Sequence, residues 1–213
     1  MDQADLYLDE IAWENYLTQQ ECKKCGADSC RKLVEEIISD KKDLSSLHYL
    51  SNAKRHALTT VLNGLRLLPK IPKLTFPRAV EVNLIELNNP GNGDPVIVTG
   101  NNQYTQEILL IALATVAHPL FVLFSDTRGD TLDMAIILKS FTAETVQKSL
   151  QRVGFKTRIS RSPLIIPGKA AALHSDIRSR LNMTVEIGPI CAMELPLFLE
   201  NRAHFPIGAN HCQ

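Results

Sequence analysis

The distribution of apolar residues divides the chain into two regions with different periodicity. Up to about residue 68, apolar residues recur at helical spacing. From about residue 79 onward, short apolar runs alternate with helical stretches. The stripes of the first region comprise Leu6, Ile11, Trp13, Tyr16 and Leu17, then Leu33, Val34, Ile37 and Ile38, then apolar positions between Leu47 and Leu65. The pattern predicts a helical N-terminal region followed by a region of both strands and helices.

The second region has the pattern of an open α/β sheet. Strands are predicted at residues 79–87, 96–98, 121–124, 164–166 and 184–187, and helices over about 103–117, 131–153, 169–181 and 191–201. After the first, these strands are almost continuously apolar, which is typical of a parallel sheet covered by helices on both faces. We therefore predict a small helical domain followed by a Rossmann-like or flavodoxin-like parallel sheet domain, an α/β protein overall.

A proline-rich segment separates the two regions. Residues 69–78 contain Pro69, Pro72 and Pro77, and such a spacing disfavours both a helix and a central strand. The predicted organisation is a helical domain at 1–68, a linker at 69–78 and an α/β domain at 79–213.

The segments that follow the predicted strands are rich in glycine and polar residues. In an open α/β sheet the carboxyl ends of the strands form the ligand crevice, and glycine lets the backbone approach a ligand closely. In any single loop the glycines fit a tight turn equally well, but four such loops together indicate a bound ligand. The absence of GxGxxG and GxxxxGK[ST] motifs disfavours a dinucleotide or a phosphate-loop nucleotide site. The predicted ligand-binding residues are Thr99, Gly100, Asn101, Asn102, Asp126, Thr127, Gly129, Thr131, Pro167, Gly168, Lys169, Gly188, Pro189, Ile190, Cys191 and Ala192.

Three cysteines in the N-terminal region have a spacing that suits a metal site. Cys22, Cys25 and Cys30 form a C-x2-C-x4-C pattern between charged and polar neighbours, which are unusual around buried structural thiols. Thiolates select zinc or iron–sulfur clusters. We therefore predict that these cysteines are metal ligands.

The fourth ligand is not evident from the sequence. His48 could complete a three-cysteine, one-histidine site, although a histidine on the surface of the third helix fits equally well. Cys191 and the His211–Cys212 pair could reach the site only across the fold. A frayed C-terminal tail is the other interpretation of that pair.

Charge and hydropathy exclude several classes of function. The 23 basic and 23 acidic side chains balance, which argues against a nucleic-acid binder and against a polybasic membrane-surface protein. The acidic N-terminus does not resemble a signal peptide, and Pro119 interrupts the longest apolar run, residues 108–124. We therefore expect no membrane span and a cytoplasmic location, where clustered cysteines bind metal more often than they pair.

Several segments resemble one known family. ECKKCGADSCRKLVEEI (21–37) resembles the iron–sulfur domain of the large subunit of the corrinoid iron–sulfur protein, which works with carbon monoxide dehydrogenase/acetyl-CoA synthase. The second region resembles the corrinoid-binding domain of the same subunit. The motifs that carry this resemblance, in the family's order, are PVIVTGNN (95–102), DTRGDTL (126–132), LIIPGKAA (164–171) and VEIGPICAMELPLFLE (185–200).

The chain departs from this family in two respects. The family has a TIM barrel between the two regions, whereas here only residues 63–94 connect them. The family's fourth cluster cysteine would fall near Leu47, and leucine cannot bind iron. The resemblance therefore implies a cluster of the 4Fe–4S type whose fourth ligand is open, with zinc as the alternative.

The resemblance implies a corrinoid, a cobalamin-type cofactor, at the carboxyl ends of the strands. No DxHxxG motif is present to supply a histidine to cobalt, so a base-off corrinoid is expected. Thr131 would lie near the cobalt unless it serves as a helix N-cap. Cys191 would face the ligand unless it is a buried cysteine at a helix start.

The implied role is that of a methyl or electron carrier in anaerobic one-carbon metabolism. Such a carrier works with a methyltransferase or another corrinoid-pathway protein, or assembles with copies of itself, rather than acting as a free-standing enzyme. The alternative is a non-catalytic assembly or regulatory protein. In that case Cys22, Cys25, Cys30 and His48 would hold structural zinc, and the α/β domain would bind another ligand or a protein.

Overall fold

A computed structural model describes residues 3–39, 41–73, 76–154 and 159–204 of the protein. The proposed ligand pair His211–Cys212 lies outside these residues. The α-helices are α1 (Gln19–Lys24), α2 (Cys30–Ile38), α3 (Asn52–Leu67), α4 (Gln103–Leu113), α5 (Leu132–Ile137), α6 (Ala143–Arg152), α7 (His174–Leu181) and α8 (Leu195–His204). The strands are β1 (Asn83–Leu87), β2 (Val96–Gly100), β3 (Leu120–Ser125), β4 (Leu164–Ile166) and β5 (Val185–Ile187).

The five strands form one sheet in the order β1-β3-β2-β4-β5. Strands β2 to β5 pair in parallel, and β1 pairs antiparallel with β3 at the edge. Residues of α5, α6 and α7 pack against one face, and residues of α4 and α8 against the other. The predicted α/β architecture is therefore confirmed, and β1, with its alternating exposure, is an antiparallel edge strand.

Several predicted element boundaries are wrong. The helix predicted over 131–153 is two helices, because Lys139 adopts a positive φ of 56° after α5 and Thr142 starts α6 with a capping box. The helices predicted from 169 and 191 begin as 3-10 turns, Gly168–Leu173 and Ala192–Glu194. The helix predicted over 103–117 ends at Leu113, and the first strand begins at Asn83.

The helical N-terminal region shares an apolar core with the sheet region. Helix α3 packs against α4 and α8, and the cluster that contains Leu58 and Val61 also contains Ala112, Met193 and Leu197. The proline-rich segment contacts the N-terminus, since the Ala4 N–H donates to the Ile71 carbonyl at 2.8 Å. The division into two domains remains a prediction, and in the described residues the two regions are packed together.

One buried polar contact also joins the two regions. The Tyr16 hydroxyl donates to Oε1 of Glu194 at 2.6 Å, and the Ala12 backbone N–H donates to the same carboxylate. Burial raises the pKa of Glu194 above its ordinary value of 4.5. The charged carboxylate is therefore less favourable here than in the unfolded chain.

Of the helices in the described ranges, none is both long and apolar enough to cross a bilayer.

We predict that Gly64→Val weakens the packing of α3. A Cβ atom at position 64 would lie 2.3 Å from Cε of Met193 and 3.5 Å from Cγ2 of Ile111. Met193 is 1% exposed, so its methyl end has little space to move away from the two further methyl groups of valine. Overpacking of this kind costs about 1–3 kcal/mol. Urea unfolding should show that loss for Gly64→Val and a much smaller change for Asn63→Val, which alters an exposed position on the same helix. Equal losses in the two variants would contradict the role of Gly64.

We predict that Glu194→Gln changes how stability depends on pH. The pKa of Glu194 is raised in the folded state. Its contribution to the free energy of unfolding is therefore fully present below pH 4.5 and is lost as the pH rises through the folded-state pKa. Glutamine keeps an oxygen for Tyr16 and carries no charge. Urea unfolding should find the variant more stable than the wild type at pH 7, with the difference vanishing near pH 4. The exposed Glu81→Gln serves as control, and a difference that does not vary with pH would contradict the prediction.

Candidate functional site

A cavity of about 440 Å³ lies at the carboxyl edge of the parallel strands. Residues that follow β2, β3, β4 and β5 contribute to its wall, because parallel strands end at the same edge of a sheet. Apolar side chains such as Ile97, Ile108 and Leu109 line much of its interior. A largely apolar concavity with a few polar groups is the usual form of a small-molecule site.

Most of the predicted ligand-binding residues line this cavity. They are Thr99, Asn102, Gly129, Thr131, Pro167, Lys169, Gly188, Pro189, Ile190, Cys191 and Ala192. The cavity wall does not include Gly100, Asn101, Asp126, Thr127 and Gly168. The structure thus brings all four strand exits together at one cavity, and ligand binding by these residues remains a prediction.

Asn101 connects the exits of β2 and β3. Its buried Oδ1 accepts hydrogen bonds from the backbone N–H of Thr127 at 2.8 Å, from the Thr127 hydroxyl at 3.1 Å and from the N–H of Gly129 at 3.2 Å. Its Nδ2 donates to the Val80 carbonyl at 2.8 Å. Asn101 and Thr127 therefore shape the loops behind the cavity, although the sequence predicted them as ligand contacts.

Asn102 continues this network into helix α4. Its Oδ1 caps the helix by accepting from the N–H groups of Tyr104 and Thr105, and its Nδ2 donates to the Gly129 carbonyl at 2.7 Å. Gly129 has a φ of 80°, and a Cβ atom there would lie 2.3 Å from the backbone nitrogen of Ala79. This position therefore requires glycine for backbone reasons, independently of any ligand.

The glycines after β4 and β5 let these two exits pack closely. A Cβ atom at Gly188 would lie 2.8 Å from Cγ2 of Ile165, and one at Gly168 would lie 2.8 Å from Cγ1 of Ile190. Both glycines also donate hydrogen bonds to the other exit, the Gly168 N–H to the Pro189 carbonyl at 2.9 Å and the Gly188 N–H to the Ile166 carbonyl at 2.8 Å. Tight packing thus explains the small residues at these positions.

Thr131 and Cys191 both line the cavity, but their side chains differ in hydrogen bonding. Thr131 is the N-cap residue of α5 by backbone position, yet its hydroxyl makes no capping hydrogen bond. Cys191 is 1% exposed, and its thiol donates to the Leu6 carbonyl at 3.3 Å. Burial raises the pKa of Cys191 to about 11, so this side chain is a neutral thiol at physiological pH.

The cavity also has a wall that the sequence did not predict. Residues 4–7 and 71–73, which lie outside the sheet region, also line it. The Tyr7 ring lies 3.8 Å, centroid to Nζ, from the ammonium group of Lys169. Burial, followed by the charge and hydrogen bonding of Asp133, raises the pKa of Tyr7 to about 12. No motif marks residues 4–7, because their place in the fold depends on long-range packing alone.

The three N-terminal cysteines are buried between α1 and α2. The Cys22 and Cys30 sulfurs lie 2.8 Å apart, and the Cys30 thiol donates to the Leu17 carbonyl at 3.1 Å. Burial, with the neighbouring Cys30 thiol, raises the pKa of Cys22 to about 12. Burial also raises the pKa of Cys25, although the Lys42 ammonium opposes this shift. The three side chains thus lie close together within an apolar cluster.

The structure does not assemble a complete metal site around these thiols. Leu47 is 3% exposed and belongs to the same apolar cluster as the three cysteines, whereas His48 is exposed. Within the described ranges, no three histidine, cysteine, aspartate or glutamate side chains converge on a point that could hold a metal ion. Metal binding by Cys22, Cys25, Cys30 and His48 therefore remains a prediction, and it requires the sulfurs to move apart.

Comparison with known proteins places these features in a family. A family model described as CO dehydrogenase/acetyl-CoA synthase delta subunit matches residues 47–199, which include α3 and the whole sheet region. The match begins after the three cysteines.

Individual relatives carry a related name. The gamma subunit of the acetyl-CoA decarbonylase/synthase complex of Methanopyrus kandleri is 32% identical over 124 residues, which cover 58% of this chain and 27% of the relative. The subunit of the same name from Methanocaldococcus jannaschii is 24% identical over 196 residues, 87% of this chain and 39% of the relative. The gamma 2 subunit of Methanosarcina mazei is 30% identical over 126 residues.

The chain thus spans between about a quarter and two fifths of the length of these relatives. The matched part contains all four strand exits and most of the cavity wall, whereas residues 4–7 lie outside it. The chain belongs to the CO dehydrogenase/acetyl-CoA synthase delta subunit family.

Proposed function

We propose that this protein binds a corrinoid in the cavity and serves as a methyl or electron carrier in anaerobic one-carbon metabolism. The observation that carries this proposal is the convergence of the four strand exits on one apolar cavity. These exits contain the motifs through which the sequence resembles a corrinoid-binding domain. The relatives are named as subunits of an acetyl-CoA decarbonylase/synthase complex, and this name supports a role in one-carbon transfer.

The residues of the cavity suit a large, mostly apolar ligand. Ile97, Ile108 and Leu109 offer an apolar surface against which a macrocycle can pack. The Thr131 hydroxyl makes no capping bond and can donate to the ligand, and Lys169 offers a positive charge at the cavity wall. When bound, a corrinoid supplies a cobalt atom that can accept and release a methyl group.

We also propose that the corrinoid is held base-off. Among the described residues that line it, none is a histidine, so this wall offers cobalt no imidazole ligand. The nearest sulfur-bearing group, Cys191, is a neutral thiol engaged with Leu6. A site that withholds a strong lower ligand favours the reduced cobalt state, which is the reactive one for methyl transfer.

We further propose that Cys22, Cys25 and Cys30 hold an iron–sulfur cluster. Three thiols in one short segment are the donor type that such clusters use. The ligands must be deprotonated on binding, so cluster assembly has to overcome the raised thiol pKa values. Because Leu47 cannot be a ligand and His48 faces solvent, the fourth position is open to a ligand from outside this loop.

A carrier requires a partner that delivers or removes its group. We propose a methyltransferase or another corrinoid-pathway protein as this partner. The chain itself contributes the binding of the corrinoid and its protection from water. The partner contributes the groups that act on the methyl donor or acceptor.

Corrinoid binding is tested by filling the cavity. Wild-type protein titrated with hydroxocobalamin under anaerobic, reducing conditions should change the cobalamin visible spectrum saturably. Ala192→Trp places a large ring in the cavity wall and should weaken binding by more than about tenfold, equivalent to at least 1.4 kcal/mol. Ala114→Trp, at an exposed position outside the cavity, should bind like the wild type. Absence of saturable binding by the wild type, or equal binding by both variants, would contradict the proposal.

The iron–sulfur proposal is tested by metal content. After anaerobic reconstitution with ferrous iron and sulfide, the wild type should contain iron and absorb visible light. Cys22→Ala should lose most of this iron, whereas Cys191→Ala, which removes a buried thiol elsewhere, should retain it. Iron retention by Cys22→Ala, or zinc uptake in preference to iron, would disprove the assignment.

A further inference from the structure

Residues 4–7 cover the cavity without being part of any helix or strand. All four line the cavity, and none of them is fully buried. On the C-terminal side, the chain becomes firmly packed only at Ile11 and Trp13, which are 1% and 7% exposed. The exposed residues Leu8–Glu10 lie between. Residues 4–7 are therefore a partly exposed part of the cavity wall, next to a segment whose side chains are buried.

Among the described residues, few hydrogen bonds attach this segment to the rest of the protein. Gln3 forms an isolated β-bridge with Pro72, and the Ala4 N–H donates to the Ile71 carbonyl at 2.8 Å. The Leu6 carbonyl accepts from the Cys191 thiol at 3.3 Å, which is a weak hydrogen bond. Apart from Tyr7, which packs against the apolar cluster around Leu58, the segment buries little apolar surface. Separating it therefore costs less than unfolding the core.

Tyr7 makes the strongest side-chain contacts of the segment. Its ring faces the Lys169 ammonium, with the centroid 3.8 Å from Nζ, and its hydroxyl interacts with the Asp133 carboxylate. Lys169 follows β4 and Asp133 lies in α5, so a single side chain connects the segment to two sides of the cavity mouth. Tyr7 also has a φ of 57°, a left-handed conformation that is unfavourable for tyrosine. Release of Tyr7 would relieve this conformation.

The volume of the cavity indicates that this wall must move. A cavity of about 440 Å³ lies in the lower half of the range for drug-sized ligands, roughly 300–1,000 Å³. A corrinoid, with its macrocycle and amide side chains, is larger than such ligands. The strand exits are fixed by the hydrogen bonds of Asn101 and Asn102, whereas residues 4–7 are held by the few contacts above.

We propose that residues 4–7 form a lid that opens to admit the ligand, and that Tyr7 is its latch through Lys169 and Asp133. The identity of the ligand, and the need for opening that follows from its size, rest on the proposed function, whereas the weak attachment of residues 4–7 does not. Tyr7 is thereby a residue of the ligand site that comes from outside the sheet region. It controls access to the cavity and contacts the bound molecule when the lid is closed.

The first test uses Cys191 as a reporter in ligand-free protein. Its thiol lies beneath Leu6, so a maleimide reagent reaches it only when the lid lifts. Alkylation of Cys191, followed by peptide mass spectrometry, should be about three- to tenfold faster in Tyr7→Ala, since one or two weak polar contacts are lost. Tyr7→Phe keeps the ring and loses the hydroxyl, so its rate should fall between those of the wild type and Tyr7→Ala.

Two controls separate lid opening from general loosening. Cys22 is 0% exposed and does not line the cavity, and its alkylation in the same samples should stay slow in every variant. Phe76→Ala removes an aromatic ring that is 89% exposed and should leave the Cys191 rate unchanged. Equal Cys191 rates in Tyr7→Ala and the wild type would overturn the lid, as would a parallel rise at Cys22.

The second test distinguishes failure of the lid from failure of the proposed function. Stopped-flow mixing with hydroxocobalamin should give faster association for Tyr7→Ala than for the wild type, by a factor similar to that for alkylation. Identical association rates would overturn the lid while leaving corrinoid binding intact. If no variant binds cobalamin, the proposed ligand is wrong, and the alkylation result still decides whether the lid exists.

Discussion

The hydrogen bonds of Asn101 and Asn102 are the constraint on which the site depends. Together the two side chains connect the end of β2 to the loop after β3 and start helix α4. A buried amide that loses its partners costs about 1–3 kcal/mol, so this network holds the two central strand exits in one arrangement. Within the described residues, no buried side-chain nitrogen or oxygen lacks a partner. The cavity wall is therefore fixed where the exits of β2 and β3 form it, whereas residues 4–7 form another part of the wall.

The sheet and the position of the cavity could be predicted from the sequence. Continuously apolar runs such as 96–98 and 121–124 indicate buried parallel strands, and parallel topology brings their following segments to one edge. The roles of individual residues were less predictable. Asn101 and Thr127 are polar residues in strand exits, and only their distances show that they bond to each other. Glycine at 129 is required by the backbone of Ala79, a contact between residues far apart in the sequence.

Features that depend on long-range contacts or on weak local signals were not predictable. Neither glycine nor proline marks the break between α5 and α6, since Lys139 adopts the positive φ there. The pairing of β1 with β3 instead of β2 depends on sheet topology, which the alternation in β1 does not encode. The contribution of residues 4–7 to the cavity follows from their pairing with residues 71–72, across almost the whole helical region.

The cysteine segment and the cavity are connected by a continuous apolar core. The cluster that surrounds Cys22, Cys25 and Cys30 extends to Cys191 and Met193, which line the cavity. The proline-rich segment therefore joins two regions that pack together in the described structure. This packing gives a physical reason to consider the two proposed cofactors as parts of one protein function rather than as independent modules.

A corrinoid bound at the carboxyl edge of the sheet, as proposed, must shield the backbone around the cavity. Hydrogen–deuterium exchange of the protein with and without saturating hydroxocobalamin measures this shielding. Exchange should slow on binding in the segments that contain residues 4–7, 129–134 and 188–193, which contribute to the cavity wall. Unchanged exchange in these segments, or protection confined to regions away from the sheet edge, would contradict the proposal.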